Sequence, residues 1–256
     1  MTLSQSIILG IVEGLTEFLP VSSTGHMVLA SHFLHILDSA TVTTFEIVVQ
    51  LGAILAVVAS YHKKLFNIEM IKKLIVAFIP TGIVGVVVFP YIKHLLDSPK
   101  LVVITLILGG VVILLVERRY KDKEDTEHSQ QVSSISYKNA LLLGAFQALA
   151  VIPGVSRSGA MIVGGRIKRL SRKLLVEFSF LLAVPTMFIA AAYTILKKHN
   201  ELSIDSISPI VVGTIISFIV AFAVIRLALA YIRRHSFEIF GWYRIIVGII
   251  LLIVLW

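Results

Sequence analysis

Long runs of apolar residues alternate with short polar and charged segments along the whole chain. A helix needs about 20 residues to cross the hydrocarbon core of a bilayer. We predict six membrane-spanning helices from the runs that reach or approach this length: Thr44–Tyr61, Leu74–Phe89, Leu101–Val116, Leu174–Leu196, Ile207–Tyr231 and Gly241–Trp256. The pattern therefore indicates an all-α integral membrane protein.

Two further apolar segments are interrupted by helix breakers and polar residues. The first, Leu3–Leu37, contains Pro20 and a Ser-Ser-Thr-Gly run, and the second, Lys138–Gly165, contains Pro153-Gly154 followed by Ser-Arg-Ser-Gly. Each half is too short to span a bilayer. An interrupted helix is tolerated at membrane depth only where its freed backbone groups are buried in protein or line a cavity. We therefore predict two re-entrant helical hairpins.

The two broken segments resemble each other when the sequence is shifted by 134 residues. The shift aligns six residue pairs: Gly10 with Gly144, Glu13 with Gln147, Leu15 with Leu149, Ser22 with Ser156, Gly25 with Gly159, and Met27 with Met161. Three predicted spans follow each segment, and because three is odd the second copy must be inverted. Inverted repeats with broken helices typically form their site near the membrane midplane. We predict one membrane domain, residues 1–256, made of two inverted repeats (approximately 1–117 and 138–256) joined by a charged loop, 118–137.

Charged residues make up 15% of the 256 residues, whereas soluble globular domains contain about 25%. The formal net charge is +8, but nucleic-acid binding requires a basic face on a folded domain. Most Lys and Arg residues lie between the apolar runs, so we predict no nucleic-acid partner. The chain has no cysteine, which excludes disulfides, zinc–thiolate sites and a cysteine nucleophile.

Most basic residues fall on one predicted face of the membrane. They occupy the loops after the first, third and fifth spans and the two flanks of the second hairpin, which include Arg166 and Arg172. Basic loops are retained in the cytoplasm. We therefore predict that these loops, including the charged segment 118–137, are cytoplasmic and that both termini lie outside the cell.

Two carboxylates occur at membrane depth in the first hairpin. Glu13 and Glu17 are four residues apart, which places both side chains on one face of a helix. Two neighbouring carboxylates repel each other unless a proton or a cation lies between them, and hard divalent cations prefer oxygen ligands. The pair therefore indicates a site for Mg²⁺ or Ca²⁺. The alternative is a pair of carboxylates at the water interface with no function.

A polar turn follows the two glutamates. Pro20 ends the first limb of the hairpin, and the Ser22-Ser23-Thr24 cluster offers N-caps for the second limb. Free N–H groups at a helix N-terminus form an anion site. His26 lies three and four residues after the two serines, so the spacing predicts an imidazole within reach of a serine hydroxyl, the minimum for a base-activated nucleophile. Capping alone would also explain the serines.

The second hairpin carries a cation at the corresponding turn. Arg157 lies between Ser156 and Ser158, and its planar guanidinium binds phosphate through two parallel hydrogen bonds. Two inverted hairpins would bring both turns to one point, with Arg157 opposite the two glutamates. The alternative is a polar turn at the membrane interface.

The two turns resemble the signature motifs of a known family. Glu13–His26, EGLTEFLPVSSTGH, and Pro153–Gly159, PGVSRSG, closely resemble the first and second signatures of the bacterial undecaprenyl-pyrophosphate phosphatases, also called bacitracin-resistance proteins. Glu177–Ala183 and Gln50–Ala53 resemble further familial segments. The resemblance covers essentially the whole chain.

The resemblance implies a divalent-cation-dependent hydrolase of acid anhydrides in the bacterial plasma membrane. Such an enzyme converts undecaprenyl pyrophosphate to undecaprenyl phosphate and inorganic phosphate, which recycles the carrier lipid of cell-wall synthesis. The active site is expected to face the outer side, with membrane lipid around it, and a homodimer is compatible with the family. The alternative function is transport, a flippase for prenyl-phosphate lipids, because inverted repeats with broken helices are also the architecture of transporters.

The resemblance also implies roles for individual residues. The nucleophile would be Ser23, supported by Ser22 and His26. The remaining site residues divide into metal ligands, Glu13 and Glu17 (the latter also an acid–base group), and phosphate-binding residues, Arg157, Ser156, Ser158, Thr24 and Gly25. Direct attack by water and a phosphohistidine remain open. Met161 occupies a position where the family commonly has threonine, so a hydrogen bond from that hydroxyl is lost or supplied elsewhere.

Overall fold

The computed structural model describes residues 1–36, 40–88, 99–120, 131–198, 204–232 and 234–255. Its helices are α1 (Leu3–Thr16), α2 (Ser23–Phe33), α3 (Ala40–Val48), α4 (Gln50–Leu65), α5 (Ile68–Val88), α6 (Pro99–Arg119), α7 (Tyr137–Ala148), α8 (Arg157–Ile167), α9 (Arg172–Lys198), α10 (Ile204–Ile232) and α11 (Glu238–Leu255). Two short 3₁₀ turns, Val132–Ser134 and Leu149–Val151, complete the secondary structure of these residues, which include no strand. The all-α prediction is confirmed.

Five helical segments within the described ranges are long and apolar enough to cross a membrane. They are Thr44–Leu65, Ile68–Val88, Pro99–Arg119, Arg172–Lys197 and Ile207–Ile232, and each contains one of the predicted spans or most of it. The sixth predicted span corresponds to α11, an 18-residue helix. Phe89 and Trp256, the last residues of two predicted spans, lie outside the described residues.

Both interrupted segments form pairs of short helices, as predicted. The helices α1 and α2 pack together after the turn 17–22, and α7 packs against α8 after the turn 149–156. The longest of the four, α1, has 14 residues, about 21 Å at 1.5 Å per residue, whereas the hydrocarbon core is about 30 Å thick. Neither limb can span a membrane alone. The re-entrant arrangement, in which each hairpin returns to the membrane face from which it entered, stays a prediction.

The first limb of each hairpin packs against a long helix from the other half of the chain. Helix α1 lies along α10, and α7 lies along α5. Glycines permit both close approaches, since a Cβ at Gly10 would lie 2.6 Å from the Gly213 carbonyl oxygen and one at Gly144 would lie 1.8 Å from that of Ala77. These two glycines are paired by the 134-residue shift. In this reciprocal packing, each half of the chain supplies the long helix that covers the hairpin of the other half, as expected of two related repeats. The inversion of one repeat relative to the other stays a prediction.

Several of the described residues at the two ends of the predicted charged loop belong to a helix or are buried. Arg118 and Arg119 belong to α6, while Val132 and Ile135 are buried against the main apolar core. The residues between them, 121–130, lie outside the described residues.

Two basic residues on the predicted flank of the second hairpin are part of a buried cluster. Arg166 Nε and Arg172 Nη2 each lie 2.9 Å from an oxygen of Glu117, and Arg166 is only 1% exposed. Removing one partner of a buried ion pair strands the other charge in a low-dielectric interior. The cluster therefore fixes the end of α6 to α8 and α9.

Candidate functional site

The second helix of each hairpin begins with a serine N-cap in the same unusual backbone conformation. Ser22 and Ser156 are the N-caps of α2 and α8, with φ of 74° and 72°, a region that non-glycine residues rarely adopt. The Ser22 hydroxyl accepts the N–H of Gly25 (3.3 Å), and the Ser156 hydroxyl accepts that of Gly159 (3.1 Å). The predicted alignment of the two turns thus extends to their backbone conformation, and strain of this kind clusters at functional sites.

The carboxylate of Glu17 connects the two turns. One oxygen, Oε2, accepts the hydroxyl of Ser23 at 2.5 Å, and the other, Oε1, accepts Nη2 of Arg157 at 3.0 Å. Glu17 and Ser23 are both buried. The structure therefore brings an acid and a hydroxyl of the first hairpin together with a guanidinium 140 residues beyond the acid, as the sequence predicted.

The guanidinium of Arg157 is held in place and keeps one donor available. Its Nη1 donates to the Ser179 carbonyl oxygen at 2.7 Å, while its buried Nε has no hydrogen-bond partner among the described residues. An unpaired buried N–H costs about 1–3 kcal/mol. The free donor points to an acceptor supplied by a ligand, and a phosphate oxygen is the acceptor that suits a guanidinium best.

The two serines beside Arg157 fasten the second turn to the first. The Ser158 hydroxyl donates to the Leu19 carbonyl oxygen at 3.1 Å and lies 3.2 Å from the hydroxyl of Ser156. Both serines are buried. Their present contacts are therefore structural, whereas their predicted contact with phosphate stays a prediction.

Glu13 lies one helical turn before Glu17 and is completely buried. Neither of its carboxylate oxygens has a hydrogen-bond partner in the described part of the chain. A buried carboxylate without partners must be neutralised by a proton or a cation. Within the same residues no group of three or more His, Asp or Glu side chains is placed to hold a metal. Two carboxylates suit Mg²⁺, which typically keeps several waters and binds through one or two carboxylates plus substrate phosphates.

His26 does not contact a serine hydroxyl, so the predicted serine–histidine pair is not formed. Its Nδ1 lies 2.8 Å from the Ser22 carbonyl oxygen, and its Nε2 lies 2.8 Å from the Tyr243 hydroxyl. A carbonyl only accepts, so Nδ1 is the donor. The ring is also stacked on Tyr243, with centroids 5.7 Å apart. The pair predicted from helical spacing is not formed, because the Ser22 hydroxyl caps α2 and the Ser23 hydroxyl donates to Glu17.

The remaining predicted residues flank this cluster. Thr24 is partly buried, and the backbone of Gly25 is committed to the Ser22 cap. A Cβ at Gly25 would lie 3.1 Å from both the Ser22 hydroxyl and a Val102 methyl, so glycine fits the close approach here. Met161 is completely buried in the main apolar core. The position at which the family commonly has threonine is therefore surrounded by apolar side chains.

Arg244 is the major residue of this region that the sequence reasoning missed. It is fully buried in α11, and its guanidinium donates to five carbonyl oxygens in three segments: Thr105, Leu106, Pro20, Gly154 and Val155. It therefore links both broken turns to α6. A charged residue inside a predicted span was the available signal, because such residues are costly in a membrane and are kept for a reason.

Replacing Arg244 by Met is expected to destabilise the protein by about 3 kcal/mol, since buried carbonyls lose their donors. The measurement is the midpoint of thermal unfolding of purified protein in detergent. Arg226→Met is the matched control, because Arg226 is an exposed arginine of a membrane span and its loss should leave the midpoint nearly unchanged. Equal midpoints for the Arg244 variant and the wild type would contradict the role assigned to Arg244.

Comparisons with known proteins agree on one family. Residues 6–250 match the family described as bacitracin resistance protein BacA. An undecaprenyl-diphosphatase of Wolinella succinogenes is 52% identical over 253 residues, which cover 98% of each chain. Undecaprenyl-diphosphatases of Sulfurihydrogenibium sp. and Aquifex aeolicus are 46% and 44% identical, and these alignments cover 98% of this chain and 98% and 97% of the relatives.

Proposed function

The chain belongs to the family of the bacitracin resistance protein BacA, and we propose that it hydrolyses undecaprenyl diphosphate to undecaprenyl phosphate and inorganic phosphate. One observation carries the assignment to this site: Glu17 joins the Ser23 hydroxyl of one turn to the Arg157 guanidinium of the other. These are the parts that phosphoryl transfer requires, namely a nucleophile, a proton acceptor and a cation for the developing charge.

The diphosphate binds where the two turns meet, and the lipid tail stays in the bilayer. Arg157 is the principal phosphate ligand, because its buried Nε is free to donate and because a guanidinium matches the spacing of two phosphate oxygens. The guanidinium of Arg157 neutralises negative charge on the terminal phosphoryl group while the bond between this group and the leaving undecaprenyl phosphate breaks. Most of the catalytic effect in phosphoryl transfer comes from such positioning and neutralisation.

Ser23 is the nucleophile of the proposed reaction. Its oxygen attacks the terminal phosphorus while its proton passes to Oε2 of Glu17, and undecaprenyl phosphate leaves. Glu17 gives this proton to the departing undecaprenyl phosphate and becomes a base again. Water then attacks the phosphoserine while its proton passes to Glu17 and on to the Ser23 oxygen, and inorganic phosphate leaves. The 2.5 Å contact between the Ser23 hydroxyl and Glu17 supports this assignment over His26 as base. His26 instead orients the first turn through Ser22 and Tyr243.

A divalent cation, Mg²⁺ or Ca²⁺, would be held by Glu13 and Glu17. When bound, it would withdraw electron density from the phosphate oxygens and stabilise the charge of the leaving group. The unpartnered oxygens of Glu13 support this placement.

Replacing Glu13 by Gln is expected to raise the metal concentration for half-maximal activity at least about 10-fold, because one of two charged ligands is lost. The measurement is phosphate release against Mg²⁺ concentration after removal of bound metal with a chelator. Glu69→Gln is the control, since Glu69 is another acidic residue of the same half, is exposed and is paired with Lys72 (2.9 Å). An unchanged metal requirement in the Glu13 variant would exclude Glu13 as a ligand.

We also propose how the chain is arranged in the membrane. Two inverted repeats place the two turns near the midplane, with the site open to the outer side and both termini outside. The exchanged packing of α1 with α10 and of α7 with α5 supports the repeat, and the basic loops support the orientation. A homodimer stays a prediction, which the mass of the purified protein in detergent would test.

Transport of an intact prenyl-phosphate lipid is the competing function. Purified protein in sealed vesicles that contain undecaprenyl diphosphate separates the two, because hydrolysis yields one inorganic phosphate for each undecaprenyl phosphate. We expect that stoichiometry in the wild type. Movement of undecaprenyl diphosphate across the bilayer without phosphate release would instead establish a flippase.

A further inference from the structure

A groove of about 540 Å³ opens between the last turns of α4 and α10. It is lined by cations, with His62, Lys63 and Lys64 on α4 and Arg226 on α10, and by one acid, Glu177. The three permanent cations exceed the single carboxylate by two charges. The groove is separate from the cluster around Glu17, because the rings of Tyr61, Phe180 and Phe18 lie in series between them (centroid distances of 6.4 Å and 4.9 Å).

Only one of the three cations is neutralised by the protein. Lys64 lies 2.5 Å from Glu177, whereas Lys63 and Arg226 form no ion pair within the described residues and are exposed. The Arg226 guanidinium is placed over the Phe222 ring, 4.4 Å from its centroid. This contact orients the guanidinium without neutralising it.

Arg226 lies inside a membrane span. It precedes Ile232, the last residue of that span, by six positions, about 9 Å along the helix. An exposed cation at such depth is costly unless an anion accompanies it. An arginine this close to the end of a span extends its side chain towards the interface, where the phosphate of a lipid headgroup is the anion within its reach.

An apolar face of α10 leads to this cation. Val211, Ile215 and Ile219 are each about half exposed, and their spacing of four places them on one face of the helix. Arg226 follows Ile219 by seven residues and continues the same face. A hydrocarbon chain lying along these three side chains would therefore end with its polar group at Arg226.

We propose that this groove binds an anionic phospholipid, with its phosphate held by Lys63 and Arg226 and one acyl chain along the Val211–Ile219 face. Charge complementarity decides the class of lipid, since a zwitterionic headgroup would bring a second cation to a groove that already has an excess of two. Basic pockets between membrane helices bind anionic headgroups in this way. The site is independent of the diphosphatase reaction, which uses none of these residues.

The test is native mass spectrometry of the intact protein in detergent, titrated separately with phosphatidylglycerol, phosphatidylcholine and inorganic phosphate. The variant is Lys63→Gln/Arg226→Gln, and the matched control is Arg118→Gln/Arg119→Gln, which removes two exposed cations from the end of another span. Phosphatidylglycerol should bind the variant about 25-fold more weakly than the wild type, at about fivefold for each of the two basic residues. Lys63→Gln alone should lose about fivefold, and the control should bind as the wild type does.

Three results would overturn the proposal. Equal binding of phosphatidylglycerol by the variant and the wild type would place the lipid elsewhere. Equal binding of phosphatidylcholine and phosphatidylglycerol by the wild type would show that headgroup charge does not select the lipid. Displacement of phosphatidylglycerol by an equal concentration of inorganic phosphate would make the groove a site for a soluble anion. Unchanged phosphate release from undecaprenyl diphosphate by the variant, in phosphatidylcholine vesicles, confirms that the variant is folded.

Discussion

Arg157→Ala is expected to lower kcat for the hydrolysis of undecaprenyl diphosphate about 10³-fold. An arginine that neutralises the transferring phosphoryl group contributes at least this much in enzymes of phosphoryl transfer. Here the effect has two sources, because the substrate loses its principal ligand and Glu17 loses the partner at 3.0 Å. The measurement is the initial rate of phosphate release at saturating lipid substrate.

The control for this prediction is Arg157→Lys. Lysine keeps the positive charge but lacks the planar fork, so we expect it to recover only part of the lost rate. The midpoint of thermal unfolding separates catalysis from folding, since a variant that remains folded but is inactive has lost only the site. A folded Arg157→Ala protein with near-normal kcat would show that the phosphate is bound elsewhere.

Ser23→Ala is expected to have the largest effect, a loss of about 10⁴-fold in kcat, because it removes the nucleophile and leaves only binding and charge neutralisation. The neighbouring Ser22→Ala is a matched control. Ser22 caps α2 through Gly25, so its loss should cost about 1 kcal/mol of stability and little in kcat.

The comparison of the two serines distinguishes the mechanisms that the sequence left open. Near-normal turnover in Ser23→Ala would exclude the serine nucleophile and favour attack by water. Equal losses in both variants would indicate that the turn as a whole, rather than one hydroxyl, is required. A covalent phosphate on His26 in the wild type would also contradict the assignment, because both His26 ring nitrogens are already hydrogen-bonded.

The fold could be predicted in outline because its physical signals are local. The apolar length of each span and the helix breakers at Pro20 and Pro153 are readable from the sequence, and the structure has helices where these signals predict them. The meeting of Glu17 with Arg157 was also predictable, since buried opposite charges in two paired turns gain most by facing each other.

The errors concern contacts that spacing along the chain does not encode. The serine–histidine pair was inferred from helical spacing, but Tyr243, more than 200 residues further along the chain, binds the imidazole instead. Arg244 was missed because its partners are backbone carbonyls, which leave no side-chain motif. The burial of Arg166 was not predicted, because its carboxylate partner, Glu117, lies 49 positions earlier in the sequence.

The purified chain is expected to remove one phosphate from undecaprenyl diphosphate at the meeting point of the two turns. The most direct test is the rate of inorganic phosphate release from this lipid in detergent, with Mg²⁺ or Ca²⁺ and with a chelator. We expect release that the chelator abolishes and that added metal restores, with undecaprenyl phosphate recovered in equal amount. No release with any metal, from folded and monodisperse protein, would show that the chain is not a diphosphatase.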